Sequence, residues 1–118
     1  MEKRYQICAV GNALVDLEFT VSEDWLDKMN ITKGMMTLVD ENRQNELFQK
    51  LDVFNAKKNC GGSAANTAIA SSQLGSKTAF FCRVSNDDLG RFYVNDLISN
   101  GISNNLICAT DVGTTGKC

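Results

Sequence analysis

The sequence predicts an α/β protein, in which a parallel sheet has helices on both faces and a small β lid lies beside it. Apolar, β-rich segments alternate with amphipathic helical segments, and this order favours parallel strands joined by right-handed crossovers. The segments 15–21 and 35–39 fit poorly inside such a sheet because one face of each is polar. We therefore expect these two segments to form a separate small sheet that covers the edge of the core.

Local signals predict the elements of the first half. Residues 15–21 alternate strictly between apolar and polar side chains, the period of a strand with one wet face. Ser22 and Asp40 are suited to cap helices, since their side chains accept hydrogen bonds from the first free amides. The predicted elements are strand Ile7–Val10, strand 15–21, a helix from Ser22, strand 35–39, a helix capped by Asp40 and a strand near 53–56.

The second half repeats the alternation of helix and strand. A helix at 64–74 stops at Gly75, a common helix-ending residue. The apolar run 78–84 is typical of a strand that is buried on both faces. The remaining predicted elements are a capping turn at Ser85-Asn86-Asp87-Asp88, a helix ending at Gly101, a strand at 106–109 and a strand beginning at Gly116.

Composition excludes several classes of protein. The chain has 118 residues, 43% of them hydrophobic and 22% charged, as in one soluble globular domain. A net charge of −2 gives no reason to expect binding to nucleic acid or to an anionic membrane. No stretch approaches the roughly 20 apolar residues of a transmembrane helix. The chain has no histidine, which removes Ser-His and Cys-His nucleophilic schemes.

The cysteines indicate a reducing compartment. Five cysteines are widely spaced, with no Cys-x-x-Cys pair to begin a metal site. We expect buried, reduced thiols in a cytoplasmic protein, and no metal ligands. The predicted strand at Gly116 starts just before the sequence stops, so we also expect this sequence to be the N-terminal portion of a longer protein.

A glycine pair, Gly61-Gly62, runs directly into a predicted helix. Two glycines allow a tight turn and let a ligand approach the backbone. Ser63 is expected to cap the helix, and Asn66 lies one turn further on. The loop lacks the Lys-Ser/Thr of a Walker loop and the third glycine of a dinucleotide fingerprint. A plain strand-to-helix turn and a ligand site explain the loop equally well.

A second polar cluster follows the first strand. Asn12 and Asp16 lie near its carboxyl end, where open α/β sheets bind ligands. Alone, Asp16 fits a solvated strand residue and Asn12 a turn residue. Together with the glycine pair and Asn66, they would suit adjacent hydroxyl groups of a small molecule.

Four segments together resemble a known family. They are Ala9-Val10-Gly11-Asn12-Ala13-Leu14-Val15-Asp16, then Gly61-Gly62-Ser63-Ala64-Ala65-Asn66, then Phe81-Cys82-Arg83-Val84-Ser85-Asn86-Asp87-Asp88-Leu89-Gly90, and Thr115-Gly116-Lys117-Cys118. In this order and spacing the chain resembles the N-terminal part of the PfkB (ribokinase-like) carbohydrate and nucleoside kinases. It looks most like adenosine kinases and their bacterial relatives.

The resemblance implies a ribokinase-like fold and transfer of the ATP γ-phosphate to a primary hydroxyl of a nucleoside or sugar. ATP and Mg²⁺ would be the cofactors, and a homodimer through the lid is one oligomeric option. The implied substrate-binding residues are Asn12, Leu14, Asp16, Thr37, Gly61, Gly62, Ser63, Asn66 and Cys118.

One family segment is missing from the chain. No Asp-Thr-x-Gly-Ala-Gly-Asp stretch, which in the family carries the catalytic base and anion hole, occurs here. The resemblance therefore implies no catalytic residue within this sequence, and the chain alone is expected to be inactive. The alternatives are a ribokinase- or fructokinase-type sugar kinase, a non-catalytic nucleoside- or sugar-binding module, and a different α/β enzyme whose glycine pair is only a turn.

Overall fold

The computed structural model describes residues 3–118, with every side chain in that range except that of Asn104. The chain forms two compact units, one made of Met1–Leu17 with Lys58–Cys118 and the other of Glu18–Lys57. The described elements are β1 (Ile7–Val10), β2 (Leu14–Glu18), α1 (Glu23–Lys28), α2 (Glu41–Leu51), β3 (Lys57–Gly61), α3 (Ser63–Gln73), β4 (Thr78–Ser85), α4 (Asp88–Ser99), a 3-10 turn (Asn104–Leu106), β5 (Ile107–Thr110) and β6 (Gly116–Lys117).

The first sheet has the strand order β1-β4-β5, and both pairings are parallel. Helices α3 and α4 pack against it, so the predicted α/β architecture with a parallel sheet is confirmed. Small residues of α3 and larger ones of α4 fill the core with the inward face of β4. The core side chains that are buried on these elements are Ala65, Ala68, Phe80, Cys82, Val84, Tyr93 and Leu97.

The prediction that β4 is buried on both faces is wrong. Phe80 is fully buried, but Phe81 on the opposite face is 42% exposed and Arg83 is exposed. Val10, which pairs with Phe81, is 74% exposed. An apolar run predicts burial of both faces, whereas in the described chain the second face is open in the middle of the strand, at Phe81 and Arg83, and buried only towards its ends.

The second sheet has the order β3-β2-β6, and β2 pairs with β6 in parallel. The alternating segment from residue 15 forms β2, which ends at Glu18, and it pairs in this sheet with β3 and β6 and not with residues 35–39 as predicted. Cys118 extends the ladder beyond β6: its N–H donates to the Val15 carbonyl at 2.9 Å, and the Leu17 N–H donates to the Cys118 carbonyl at 2.8 Å.

The strand predicted at 35–39 is absent, because these residues have no ladder with a partner strand. Met36 is 96% exposed and Leu38 is 99% exposed, so this apolar segment has no surface to pack against in the described chain. A strand gains stability only from a partner and a buried face. The proposed lid role of this segment stays a prediction.

The strand predicted near 53–56 is also misplaced. Helix α2 continues to Leu51, and a turn follows in which the Phe54 N–H donates to the Leu51 carbonyl at 2.8 Å. Strand β3 begins only at Lys57. The ladder with β2 therefore begins at the polar residues Lys57 and Lys58 and does not include the predicted segment 53–56.

Helix ends follow the predicted capping chemistry. The Ser22, Asp40 and Asp87 side chains each accept a hydrogen bond from the backbone amide three residues later, at 3.2, 2.8 and 2.7 Å. Gly75 and Gly101 follow the ends of α3 and α4 with φ values of +95° and +78°. These positive φ values explain why glycine ends both helices.

Within the unit Glu18–Lys57, two aromatic pairs and one arginine join the elements. Phe19 contacts Phe48 edge to face with ring centroids 6.2 Å apart, and Trp25 contacts Phe54 in the same way at 6.3 Å. Arg43 donates to the Met29 carbonyl, at the end of α1. The arginine therefore ties α2 to α1.

All five thiols are free. Cys60 and Cys82 are buried, as expected, whereas the expectation of burial is wrong for the exposed residues Cys8, Cys108 and Cys118. These three lie on strands or strand extensions whose outward faces are open in the described chain. Between residues 3 and 118, no helix combines the length and apolar character needed to cross a membrane.

Candidate hydroxyl-binding site

The Asp16 carboxylate lies directly against the backbone of Gly61. A methyl group at Gly61 would lie 2.6 Å from each Asp16 carboxylate oxygen and 2.5 Å from Leu14 Cδ1. Any residue with a Cβ at position 61 would therefore have to displace the Asp16 carboxylate and the Leu14 side chain. The equal distances show that both oxygens of the carboxylate face the end of β3, where Gly61 lies.

Gly62 turns the chain from β3 into α3. Its φ of +96° is in the region that favours glycine, and a Cβ there would lie 2.9 Å from the Asn12 carbonyl oxygen. The end of β1 and the turn after β3 therefore meet at this point. The second glycine is required by both conformation and contact.

The expectation that Ser63 caps α3 is wrong. Gly62 occupies the cap position, and no side chain accepts a hydrogen bond there. Ser63 is instead the first helical residue, and its carbonyl accepts a bond of 2.8 Å from the Thr67 hydroxyl. With no side-chain cap, the first amides of α3 are left to other acceptors.

Small residues allow the start of α3 to approach β1 closely. A Cβ at Gly11 would lie 2.7 Å from Ala64 Cβ. Ser63 and Asn66, on the first turn of the helix, are exposed, and the Asn66 N–H donates to the Gly62 carbonyl at 2.9 Å. Both side chains are thus open to solvent beside the glycine turn.

Cys118 lies opposite Asp16. Its backbone bonds to Val15 and Leu17, the two neighbours of Asp16, and residues so paired in a parallel ladder point to the same face of the sheet. Leu14 shares this face with Asp16, two residues away on β2. Asp16 therefore lies between Gly61 on one side and Cys118 on the other.

The structure thus brings together most of the predicted site residues. Those linked by contacts or by strand register are Asn12, Leu14, Asp16, Gly61, Gly62 and Cys118, with Ser63 and Asn66 on the adjoining turn of α3. Thr37 belongs to the other compact unit and is exposed. Its predicted substrate role stays a prediction.

The sequence did not predict the buried hydrogen bonds that hold Gly61 on its core side. The buried Tyr93 hydroxyl donates to the Gly61 carbonyl at 3.1 Å, and the Cys60 thiol approaches the Tyr93 carbonyl at 3.5 Å. Burial raises the pKa of Tyr93 and that of Cys60, so both groups remain neutral. No local pattern in the sequence identifies the acceptor of the Tyr93 hydroxyl, because Gly61 lies 32 residues away along the chain.

Within residues 3–118, no group of three or more His, Cys, Asp or Glu side chains is placed to hold a metal ion. Asp16 is the carboxylate that faces Gly61. We assign no residue of this chain to Mg²⁺ or to the ATP phosphates.

The fold and the site define a parallel α/β protein that holds one carboxylate over a Gly-Gly strand-to-helix turn. Residues 28–118 match the pfkB family carbohydrate kinases, and the chain belongs to this family. The resemblance inferred from the four sequence segments is confirmed.

Known proteins similar to the chain include both sugar and nucleoside kinases. The 5-dehydro-2-deoxygluconokinase of Lacticaseibacillus casei is 31% identical over 113 residues, which is 96% of this chain and 27% of that protein. Adenosine kinase from Sinorhizobium meliloti superposes with a TM-score of 0.72 at 29% identity, covering 95% of this chain and 34% of that one.

A third similarity concerns the fold alone. The apo adenosine kinase of Trypanosoma brucei brucei has a TM-score of 0.82 at 22% identity, covering 99% of this chain and 37% of that one. The chain spans only between 15% and 27% of the length of the curated kinases that it matches.

Proposed function

We propose that this chain supplies the acceptor-binding part of an ATP-dependent kinase that phosphorylates a primary hydroxyl of a nucleoside or sugar. The observation that supports it is the position of Asp16, whose two carboxylate oxygens face Gly61 beside the uncapped start of α3. Family membership supports phosphoryl transfer as the reaction.

The chemistry of the site suits a pair of neighbouring hydroxyl groups. An ionised carboxylate only accepts hydrogen bonds, so Asp16 would accept one hydrogen bond from each of two hydroxyl groups. The first amides of α3 only donate, and would bond the oxygens of the same hydroxyls. Ser63 and Asn66 add exposed groups that both donate and accept. A polyhydroxylated ring can use all of these at once.

An adenosine-like nucleoside is our first choice of acceptor. Leu14 lies on the same face of β2 as Asp16 and touches the Gly61 position, which provides an apolar surface next to the carboxylate. A base could pack on that surface while its ribose bonds to Asp16. A sugar kinase is the second candidate, because the Lacticaseibacillus casei relative is named for a sugar-derived acid.

ATP and Mg²⁺ enter this proposal from the family, and we expect most of their binding groups to lie outside this chain. Cytoplasmic location and a homodimer through the segment around 35–39 are further parts of the proposal. Sedimentation of the chain at several concentrations would test the dimer, since a dimer predicts a concentration-dependent mass.

Calorimetric titration of adenosine and D-ribose into parent and Asp16→Asn chains tests the acceptor site. Removing a charged acceptor of two hydroxyl bonds costs about 1.5–3 kcal/mol per bond, so the affinity should fall by about a hundredfold or more. Glu18→Gln is the matched control, because it removes an exposed carboxylate from the same strand. Equal affinities in the parent and Asp16→Asn chains would refute the role of Asp16.

A non-catalytic binding module is the remaining alternative. Both functions predict binding, so binding alone does not separate them. Phosphorylation of adenosine by the complete gene product, and its loss in Asp16→Asn, would favour the kinase. A complete product that binds adenosine without phosphorylating it, at any ATP and Mg²⁺ concentration, would favour the module.

A further inference from the structure

Asp87 makes more hydrogen bonds than its role as a helix cap requires. One oxygen accepts the Gly90 N–H at 2.7 Å, which is the cap of α4. The same oxygen also accepts the Thr115 hydroxyl at 2.7 Å, and the other accepts the Thr115 N–H at 2.8 Å. The carboxylate therefore joins the start of α4 to a residue that is 28 positions further along the chain.

Thr115 is held on a second side as well. It is 3% exposed, and its hydroxyl accepts the Ser85 N–H at 3.1 Å while it donates to Asp87. Gly90 completes the packing, because a Cβ there would collide with the Ser85 carbonyl and lie 2.9 Å from Thr115 Oγ1. One buried hydroxyl thus joins the end of β4 to the cap of α4.

Thr115 immediately precedes β6, the shortest strand of the second sheet. Gly116 and Lys117 pair with Leu14 and Val15 of β2, and Cys118 continues along the same edge. A strand of two residues has little pairing of its own to keep it in place. Its position against β2 therefore depends on how firmly the residue before it is fixed.

We propose that Asp87 and Thr115 form a tether that positions β6 against β2 and so completes the face on which Asp16 lies. Asp87 acts through Thr115, so it is a positioning residue and does not contact the acceptor. The proposal rests on the proposed function for its consequence in binding, but its structural part can be tested without a ligand.

The experiment compares Thr115→Val with Thr115→Ser. Valine keeps the volume and the N–H but loses the hydroxyl, whereas serine keeps the hydroxyl and serves as the matched control. Hydrogen exchange is measured at the Leu17 and Cys118 amides, which lie in the ladder between β2 and the β6 segment; this ladder is called the β2 edge below. The Gly11 amide, which bonds to the Phe81 carbonyl in the other sheet, is the reference.

In Thr115→Val we expect exchange at Leu17 and Cys118 to accelerate by about tenfold relative to Gly11, since a hydrogen bond to a carboxylate is lost. Thr115→Ser should retain the parent ratio. Equal acceleration at all three amides would mean that Thr115 supports only global stability, and would overturn the tether.

Asp87→Asn provides a second test if Thr115→Val does not fold. Asparagine keeps one acceptor oxygen for the helix cap but cannot accept at both positions as an anion. Asp88→Asn is its control, since it removes an exposed neighbouring carboxylate. The tether predicts selective acceleration at Leu17 and Cys118 in Asp87→Asn alone, and the same ratio in both variants would contradict it.

Calorimetry then tests the consequence for binding. Adenosine affinity should fall by about tenfold in Thr115→Val and recover in Thr115→Ser. Unchanged affinity in a variant whose β2 edge exchanges faster would overturn the positioning role. A parent chain that binds neither adenosine nor ribose would refute the proposed function, while the exchange ratios would still decide the tether.

Discussion

The hydroxyl of Tyr93 donates a 3.1 Å hydrogen bond to the carbonyl of Gly61, the residue whose backbone meets Asp16. Tyr93 is fully buried on α4, on the inward side of the site. The polar face of the candidate site is therefore supported from the apolar core through one side chain.

Tyr93→Phe should destabilise the chain by about 1–3 kcal/mol, because it leaves the Gly61 carbonyl without its buried donor. The ring and its packing remain. Urea unfolding measures the change. Tyr5→Phe removes a hydroxyl that pairs with Ser103 in a more exposed place, and should cost less. Equal losses of unfolding free energy in Tyr93→Phe and Tyr5→Phe would contradict the prediction that the buried bond to the Gly61 carbonyl contributes more to stability.

Gly61→Ala should abolish acceptor binding and destabilise the chain by about 1–3 kcal/mol, as overpacking usually does. Its methyl group would overlap Asp16 and Leu14, so the carboxylate must move. Calorimetry with adenosine and urea unfolding measure the two effects. Ser63→Ala, at an exposed position two residues later, is the control, and should leave stability nearly unchanged. Parent-like binding by Gly61→Ala would rule out the site geometry.

Gly62→Ala should cost more stability than Gly75→Ala. Both glycines have a positive φ, +96° and +95°, which alanine disfavours. Only Gly62 has a close neighbour, the Asn12 carbonyl, whereas no atom lies within 4 Å of the Gly75 position. Urea unfolding of the two variants measures the difference. A larger loss of stability in Gly75→Ala than in Gly62→Ala would contradict this prediction.

Acid should weaken the contribution of Asp87 to stability. Burial opposes its ionisation, but the hydrogen bonds from Thr115 and Gly90 and the charge of Lys117 outweigh burial and lower the pKa of Asp87. An unfolded aspartate titrates near pH 3.9, at about its ordinary pKa. The stabilisation is therefore complete above that pH and is lost as the pH falls through the lower native pKa.

The corresponding measurement is urea unfolding of parent and Asp87→Asn chains at neutral pH and near pH 2. The parent chain should have a much larger unfolding free energy than Asp87→Asn at neutral pH, and this difference between the two chains should become smaller in acid. The exposed ion pair between Asp88 and Arg91, beside Asp87, is present in both chains, so its own pH dependence cancels in the comparison. A constant difference at both pH values would contradict the assignment.

The isolated chain should neither hydrolyse ATP nor phosphorylate adenosine or ribose. It has no histidine and lacks the Asp-Thr-x-Gly-Ala-Gly-Asp segment, and we therefore expect the acceptor hydroxyl to be bound without being activated. A coupled assay beside the full gene product measures this. Nucleoside phosphorylation by residues 1–118 alone would show that the chemistry lies within them.

The sequence predicted those features that depend on local chemistry. Strand β1 has the predicted bounds, and the three carboxylate or hydroxyl caps lie where short polar side chains precede helices. The error at 35–39 arose because an apolar segment shows its propensity but not whether a partner strand is available. Pairing partners are set by contacts between distant residues.

The candidate site was predictable in its residue types but not in its internal contacts. Glycine, asparagine and aspartate at strand ends indicated a polar site, and the structure brings most of them together. The capping error at Ser63 arose because a glycine with positive φ can take the cap position itself. The Thr115 hydroxyl and its bond to Asp87 join segments 28 residues apart, which no local pattern could reveal.

The position of β2 between β3 and β6 also fixes an order of events during synthesis. β1 can pair with β4 once Ser85 has been made, but β2 meets β6 only when Gly116–Lys117 has left the ribosome. At about 5–20 residues per second, the polar face around Asp16 is completed some seconds after its own residues emerge. Until then a nascent chain carries the aspartate on an open strand edge, exposed to any chaperone or strand that can pair with it.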